Sequence, residues 1–249
     1  MAHVRVQHPS EAVAVVTLDD PDRRNSLSND LCAELVAVMD ELHSDGRTAA
    51  VVVTGEGRAF CAGADLSQLG ASREEGLRRI YDGFLAVAAS PLPTVAAVNG
   101  AAVGAGMNLA LACDVRIAGP GARFDCRFLD LGIHPGGGHT WMLRRIVGPQ
   151  VASAMVLFGE VLDAGSAVRH GLALDLDDDP VARSVEMAGR AASMPHELSR
   201  TTKATLAEVA GIDSHAAAVD HELAKQVRSM DDPAFAQRLD ALRSRISSR

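Results

Sequence analysis

Two spacings of apolar residues share this chain: short unbroken runs, and stretches where apolar residues recur every three or four positions. Val13 to Leu18 (VAVVTL) is an apolar run of strand length, ended by the turn-forming Asp19-Asp20-Pro21-Asp22. Ser28 then stands at an N-cap position. Behind it Leu31, Leu35, Val38, Met39 and Leu42 fall on one face of a helix that Gly46 would stop. Ala49 to Thr54 is a second apolar run. Strands that do not alternate with polar residues must be covered on both faces, and in strand–helix–strand order they predict a parallel sheet.

The same reading continues along the chain. Ser72 to Ala89 is helical by pattern and is stopped by Pro91 and Pro93. Thr94 to Val98 is a strand. It leads through Asn99-Gly100 into a glycine-bearing loop, Ala101 to Gly106, then an apolar helix over Met107 to Cys113 and a strand over Val115 to Ala118. After Phe124 to Leu131 comes the turn Pro135-Gly136-Gly137-Gly138 and a helix from about Thr140 to Val147. From Val151 onward the pattern is largely helical, and Phe235, Leu239, Leu242 and Ile246 share one face of the last helix. The chain thus divides into a β/α core over 1–190 and a helical region over 191–249, whose apolar face must cover its own core or a neighbouring subunit.

Composition narrows the chemistry. The 249 residues are 47% hydrophobic and 22% charged, ordinary for a globular chain able to bury a full core. A formal net charge of -8 argues against a nucleic-acid or anionic-membrane surface, so an anionic ligand would need a local basic cluster. Arg23-Arg24, in the turn after the first strand, is such a pair, and equally a solvated surface pair. None of the 4 cysteines forms a C-x-x-C motif, so no metal or redox dithiol is expected, and buried thiols fit a reducing cytoplasm. Met1 to Ser10 lacks the apolar centre of a signal peptide, and no apolar run is long enough to span a membrane.

Two loops carry candidate chemistry. Phe60 to Leu66 (FCAGADL) follows a strand, and Gly104-Ala105-Gly106 opens an apolar helix. Glycines let a backbone approach a ligand closely, and a helix start offers unpaired N–H groups. Two such N–H groups aimed at one oxygen form an oxyanion hole, and the small residues Ala64 and Ala105 would keep them accessible. Either loop alone reads equally as a tight turn. A dinucleotide fingerprint is the other reading of Gly104-x-Gly106, with Asp125 at a fitting distance, but Leu109 replaces its third glycine.

Taken together, Pro21 to Leu27 (PDRRNSL), Ala59 to Leu66 (AFCAGADL), Pro93 to Gly100 (PTVAAVNG) with Cys113-Asp114-Val115-Arg116, Leu131-Gly132 with Pro135 to Gly138, and Ala164 to Gly171 resemble the crotonase (enoyl-CoA hydratase/isomerase) superfamily over nearly the whole chain. The resemblance implies an α/β fold, a spiral of ββα turns with a helical C-terminal region that mediates trimer assembly, trimers often pairing into hexamers. It implies an acyl-CoA thioester as ligand, with coenzyme A arriving as part of the substrate and no permanently bound cofactor. By the same resemblance Ala64 and Ala105 supply the amide donors to the thioester oxygen. Ala62, Asp65, Leu66 and Ser67 continue the CoA-binding stretch. Arg23, Arg24 and Ser26 lie at the adenosine and phosphate end, and Phe235 and Arg238 stand where a C-terminal helix can reach CoA.

The match departs from the family at its acid/base pair. Family hydratases place one glutamate in the first turn after the second oxyanion loop and another about twenty residues on; one orients water and the other moves the α-proton. Here those positions are Asn108 and Phe128. Asp130, His134 and His139 are the candidates to replace them, His139 being also a candidate cap for the helix near Thr140. Asn108 can orient a water or a carbonyl. The expectation is an enzyme that stabilises a thioester enolate, hydratase or isomerase, possible in fatty-acid metabolism; the alternatives are a non-catalytic acyl-CoA-binding protein and a different CoA-ester isomerase or hydrolase.

Overall fold

The computed structural model describes residues 3–65 and 73–247, so Leu66 and Ser67 of the expected CoA-binding stretch lie outside the described residues. The strands β1 (His3–Ser10), β2 (Val13–Asp19), β3 (Ala50–Gly55), β4 (Ala59–Cys61), β5 (Thr94–Val98), β6 (Ala101–Val103), β7 (Val115–Ala118), β8 (Arg123–Asp125), β9 (Leu162–Asp163) and β10 (Asp175–Leu176) form two sheets. One has the order β1-β2-β3-β5-β7-β10 and the other β4-β6-β8-β9. Three successive strand pairs, β3 with β4, β5 with β6 and β7 with β8, each put one strand in each sheet. The helices α2 (Arg73–Ala88), α3 (Ala105–Ala112) and α4 (His139–Leu157) follow these pairs in turn, and α5 (Ala164–Arg169) follows β9. This is a spiral of ββα turns, and it stacks neighbouring strands in parallel: β3 on β5, β5 on β7, β4 on β6, β6 on β8. Among the described residues, only β1 with β2 and β8 with β9 pair antiparallel.

The unbroken apolar strands are explained by two cores. Val51 and Val53 with Ala96 and Val98 face the main core, shared with α1 (Asn29–Ser44), while Val52, Val95, Ala97 and Ile117 face a second layer that includes Ala188 of α6 (Pro180–Ala192). With a side-chain period of 2, adjacent residues of one strand serve opposite layers, so the runs do not alternate with polar residues. Ser28 caps α1, its Oγ accepting from the Leu31 N–H. Arg116 is buried and donates to the carbonyls of Leu172, Ala110 and Cys113, placing a cation at the C-terminal end of α3 where unpaired carbonyls gather.

Two expectations are corrected. The N-terminal residues, read only as mixed, form β1; of its side chains only Val4 is fully buried, so the apolar signal is weak. The loop expected over Ala101 to Gly106 holds β6 and a helix that starts at Ala105, two residues early, because parallel pairing to β4 and β8 extends the backbone up to Val103. The helix expected from about Thr140 to Val147 is present: it starts at His139 and is broken at Gly148, whose φ of 76° and ψ of 171° are not helical, and a second helical stretch then leads from Pro149 to Leu157.

The chain divides between Ala192 and Ser193 into two compact units. The second contains α7 (His196–Val209), α8 (His215–Met230) and α9 (Pro233–Ser247). Within it Glu208 of α7 accepts from His221 and Lys225 of α8, and Arg238 of α9 donates to the Ser193 carbonyl at 2.8 Å.

Candidate active site

The site is built where two loops from successive turns of the spiral abut. After β4 the chain runs through Ala62, Gly63, Ala64 and Asp65. The Leu27 N–H donates to the Gly63 carbonyl at 2.7 Å, and the Asp65 N–H donates to the Leu27 carbonyl at 2.9 Å. This is an isolated parallel bridge of Leu27 with Ala64. In a parallel bridge the flanking residues make the bonds, so the amide of Ala64 itself turns away from Leu27. Ala105 is the first residue of α3, and a first-turn N–H has no partner within its helix. Among the described residues, no acceptor takes the N–H of Ala64 or of Ala105.

Glycine is what lets these loops meet. A Cβ at Gly106 would lie 2.1 Å from the Cys61 carbonyl oxygen. One at Gly63, whose φ is +105°, would lie 2.9 Å from the Val103 carbonyl oxygen and 3.9 Å from the Ala105 nitrogen. A polar brace also ties the turn after β2 to the start of β4. Asn25, buried with φ 57°, accepts from the Asp20 N–H at 3.0 Å and donates to the carbonyls of Glu56 and Ala59 at 2.9 and 2.8 Å.

Both loops open on a cavity of about 660 Å³. Ala62, Gly63 and Ala64 line one part of it, and Gly104, Ala105 and Asn108 another. Leu77, Ile80, Phe128, Leu131 and Ile133 make the walls largely apolar. None of the described lining residues bears a carboxylate; the polar side chains on the lining are those of Tyr81, Asn108, Cys126, Arg127 and His134.

Of the proton-carrying candidates, the fold brings His134 to the cavity and not Asp130. The Asp130 side chain is 69% exposed and faces Arg127 at 3.7 Å, and it is not among the lining residues. Arg127 itself, at φ 56°, pairs with the buried Asp125. His134 is exposed at the rim, and its Nδ1 lies 2.7 Å from the Pro135 carbonyl oxygen. A carbonyl only accepts, so Nδ1 carries the hydrogen and Nε2 of the neutral ring keeps a lone pair.

His139 is not a helix cap: the N-cap of α4 is Gly138, and the His139 ring is buried. Its Nδ1 lies 2.7 Å from Asn108 Oδ1 and its Nε2 3.1 Å from Cys126 Sγ. Phe128 packs edge-on against the same ring, with centroids 4.9 Å apart. Burial holds the His139 pKa down to about 4 and pushes the Cys126 thiol up to about 12, so both are neutral at pH 7. Asn108 Nδ2 donates to the Gly136 carbonyl at 3.0 Å. The turn around Gly136 and Gly137 is pressed onto α2 and Asn108: a Cβ at Gly137 would lie 2.4 Å from Phe84 Cζ and 3.0 Å from Asn108 Nδ2, and one at Gly136 2.1 Å from the Tyr81 hydroxyl. Cys126 and Tyr81 carry no sequence signal of their own; the spiral alone brings them to the cavity.

The expected CoA-binding residues fall into two groups. Arg23 pairs with Asp20 at 2.8 Å and with Asp65 at 3.6 Å, so one guanidinium already spans two of the expected segments. Arg24, in left-handed conformation, is exposed and Ser26 half-buried beside it. Phe235 and Arg238 lie on α9 in the second unit, with Arg238 bonded to Ser193. Among the described residues no group of His, Cys, Asp and Glu could hold a metal ion, and no helix is long and apolar enough to cross a membrane.

A ββα spiral that, among the described residues, leaves two backbone N–H groups without an acceptor beside a largely apolar cavity is an arrangement chemically suited to an apolar ligand that carries a carbonyl oxygen. The enoyl-CoA hydratase/isomerase family model matches residues 8–241, and the chain belongs to that family. The family acts on acyl-CoA thioesters, as lyases or isomerases. The chain is 54% identical over 242 residues, 94% of each chain, to a protein of Mycobacterium tuberculosis named probable enoyl-CoA hydratase echA14. It is 40% identical over 171 residues to the 2,3-dehydroadipyl-CoA hydratase of Escherichia coli, covering 67% of this chain and 66% of that protein. Among solved structures, an enoyl-CoA hydratase from Bacillus anthracis superposes with a TM-score of 0.88 at 30% identity, covering 99% of this chain and 97% of the other.

Proposed function

We propose that this chain binds the acyl part of a CoA thioester in the cavity, takes its carbonyl oxygen on the Ala64 and Ala105 amides, and moves a proton with His134 as its single base. The observation that carries this is the pair of unspent amides over apolar walls. Removing a proton from C2 of a 3-enoyl thioester sends the electron pair onto the thioester oxygen, where two fixed N–H groups stabilise the enolate. His134 Nε2 takes the C2 proton and returns it at C4, giving the conjugated 2-enoyl thioester. One base suffices for this transfer, whereas hydration requires one group to orient water and another to handle the proton. Asn108 and Phe128 stand where the family's hydratases carry glutamates, and no carboxylate on the described lining replaces them.

Arg23, Arg24, Ser26, Ala62, Asp65 and Leu66 hold the CoA moiety in this reading, and Phe235 and Arg238 are further candidates for CoA contact. Residues 191–249 assemble the chain into a trimer or a dimer of trimers. The setting is fatty-acid metabolism in the cytoplasm.

The test follows conjugated-thioester absorbance with 3-enoyl-CoA and with trans-2-enoyl-CoA of short and medium chain. A rise with the 3-enoyl substrates that His134→Ala abolishes supports the proposal. Consumption of the 2-enoyl substrates instead identifies hydration without the two glutamates and overturns single-base isomerisation. No turnover, with thioester binding intact by calorimetry, makes the chain a binding protein.

A further inference from the structure

The buried group beneath the cavity has a direction fixed by chemistry. The Gly136 carbonyl can only accept, so the Asn108 side facing it at 3.0 Å must be Nδ2. Oδ1 then faces His139 Nδ1 at 2.7 Å, and Nδ1 must carry the ring hydrogen. In a neutral ring Nε2 is left with a lone pair, which takes the Cys126 S–H at 3.1 Å. Donation runs one way, from Cys126 through His139 and Asn108 to the backbone of the Pro135–Gly138 turn. All three side chains are at most 2% exposed, so no water competes for these bonds. Gly136 takes one of the two Nδ2 hydrogens, and Asn108 lines the cavity.

We propose that His139 is a positioning residue: as the Nδ1–H tautomer braced by Cys126, it engages the Asn108 carbonyl and fixes the amide so that its second N–H is offered to an oxygen at C3 of the bound acyl thioester. The inference rests on the acyl-thioester reading of the cavity. Asn108 lies three residues after Ala105, on the same helix face and about 4.5 Å further along the axis. That offset is on the scale of the separation between a thioester oxygen and an oxygen at C3. Thioesters that carry an oxygen at C3, 3-hydroxy- or 3-oxoacyl, gain this bond as bound ligands, and the 3-enoyl substrates of the proposed isomerisation do without it. Asn108 serves the former as a neutral donor and cannot act as a base.

The first test is independent of turnover. The full chain, ¹⁵N-labelled at histidine, is examined by long-range ¹H–¹⁵N correlation at pH 6.5 and 5.5. One ring, identified by its loss in His139→Asn, is expected neutral at both values with hydrogen on Nδ1 and bare Nε2; hydrogen on Nε2, or an imidazolium at pH 6.5, overturns the proposal. The second test is calorimetry with 3-hydroxybutyryl-CoA and butyryl-CoA. Wild type should prefer the hydroxylated thioester by about tenfold, the worth of one buried hydrogen bond. His139→Leu should lose the preference, His139→Asn, which keeps a donor in place of Nδ1, should rescue it, and His139→Leu with Asn108→Ala should be no worse than Asn108→Ala alone. A preference that survives His139→Leu refutes the positioning role. Failure of both thioesters to bind wild type overturns the acyl-CoA reading and the ligand half of the proposal together, while the ring spectrum judges His139 separately.

Discussion

His139 makes stability depend on pH in a window set by its burial. Folding moves the imidazole from water to a site where burial lowers its pKa from 6.5 to about 4. Between those values the unfolded chain binds a proton that the folded chain refuses, so stability is complete above pH 6.5 and falls as pH drops toward 4. A displacement of this size is worth about 3 kcal/mol in full. Of this, about 2 kcal/mol is already lost at pH 5, where the unfolded imidazole is largely charged and the folded one largely neutral. The thiol that faces Nε2 does not enter the window, because burial pushes Cys126 up to about 12 and it stays S–H throughout. The assay is urea unfolding of the first unit at pH 7.5 and pH 5.0, in wild type and in His139→Asn, which supplies a donor at the Nδ1 position but does not titrate. Subtracting the variant's pH dependence removes what the other ionisable groups contribute. The wild type should lose about 2 kcal/mol more than the variant. Equal pH dependence in the two proteins would refute the claim that the folded ring excludes a proton.

Ala105→Pro removes one amide donor at a first helical position, where proline is well tolerated, so α3 should persist by circular dichroism while thioester turnover falls about 10²–10³-fold; turnover within a few-fold of wild type would exclude Ala105 as a donor. Gly106→Ala drives a methyl to 2.1 Å from the Cys61 carbonyl oxygen and should push the two loops apart, lowering both the thermal midpoint and thioester affinity; an unchanged crystal structure and affinity would show that close approach is not required. The four cysteines form no disulfide and are buried, and burial pushes Cys32, Cys61 and Cys126 up to about 12, so iodoacetamide at pH 7.5 should label the folded chain far more slowly than the urea-unfolded chain, as read by intact mass; rapid labelling of Cys126 would show a thiolate in the cavity.

Local pattern was enough for the spiral's frame. The unbroken runs Val13 to Leu18, Ala49 to Thr54 and Thr94 to Val98 read as covered parallel strands because both faces of each must be apolar, and that requirement is written residue by residue. Ser28 announced a helix start for the same reason: capping acts over three residues. The motifs of both loops were legible too, since glycine is dictated by backbone proximity and cannot be replaced there. What local pattern missed was set by partners far along the chain. β1 exists because β2 offers it an edge, and β6 because β4 and β8 flank it. The same holds for the site's polar chemistry. Asp130 and His134 are four residues apart and equal candidates in the sequence, yet one side chain turns to Arg127 and solvent while the other reaches the cavity. His139, read as a possible base or cap, is a neutral ring because burial lowers its pKa, and residues 31 and 13 positions away, Asn108 and Cys126, converge on its two nitrogens. Burial and the direction of a hydrogen bond depend on atoms brought together by the spiral, so the tertiary structure alone decides them.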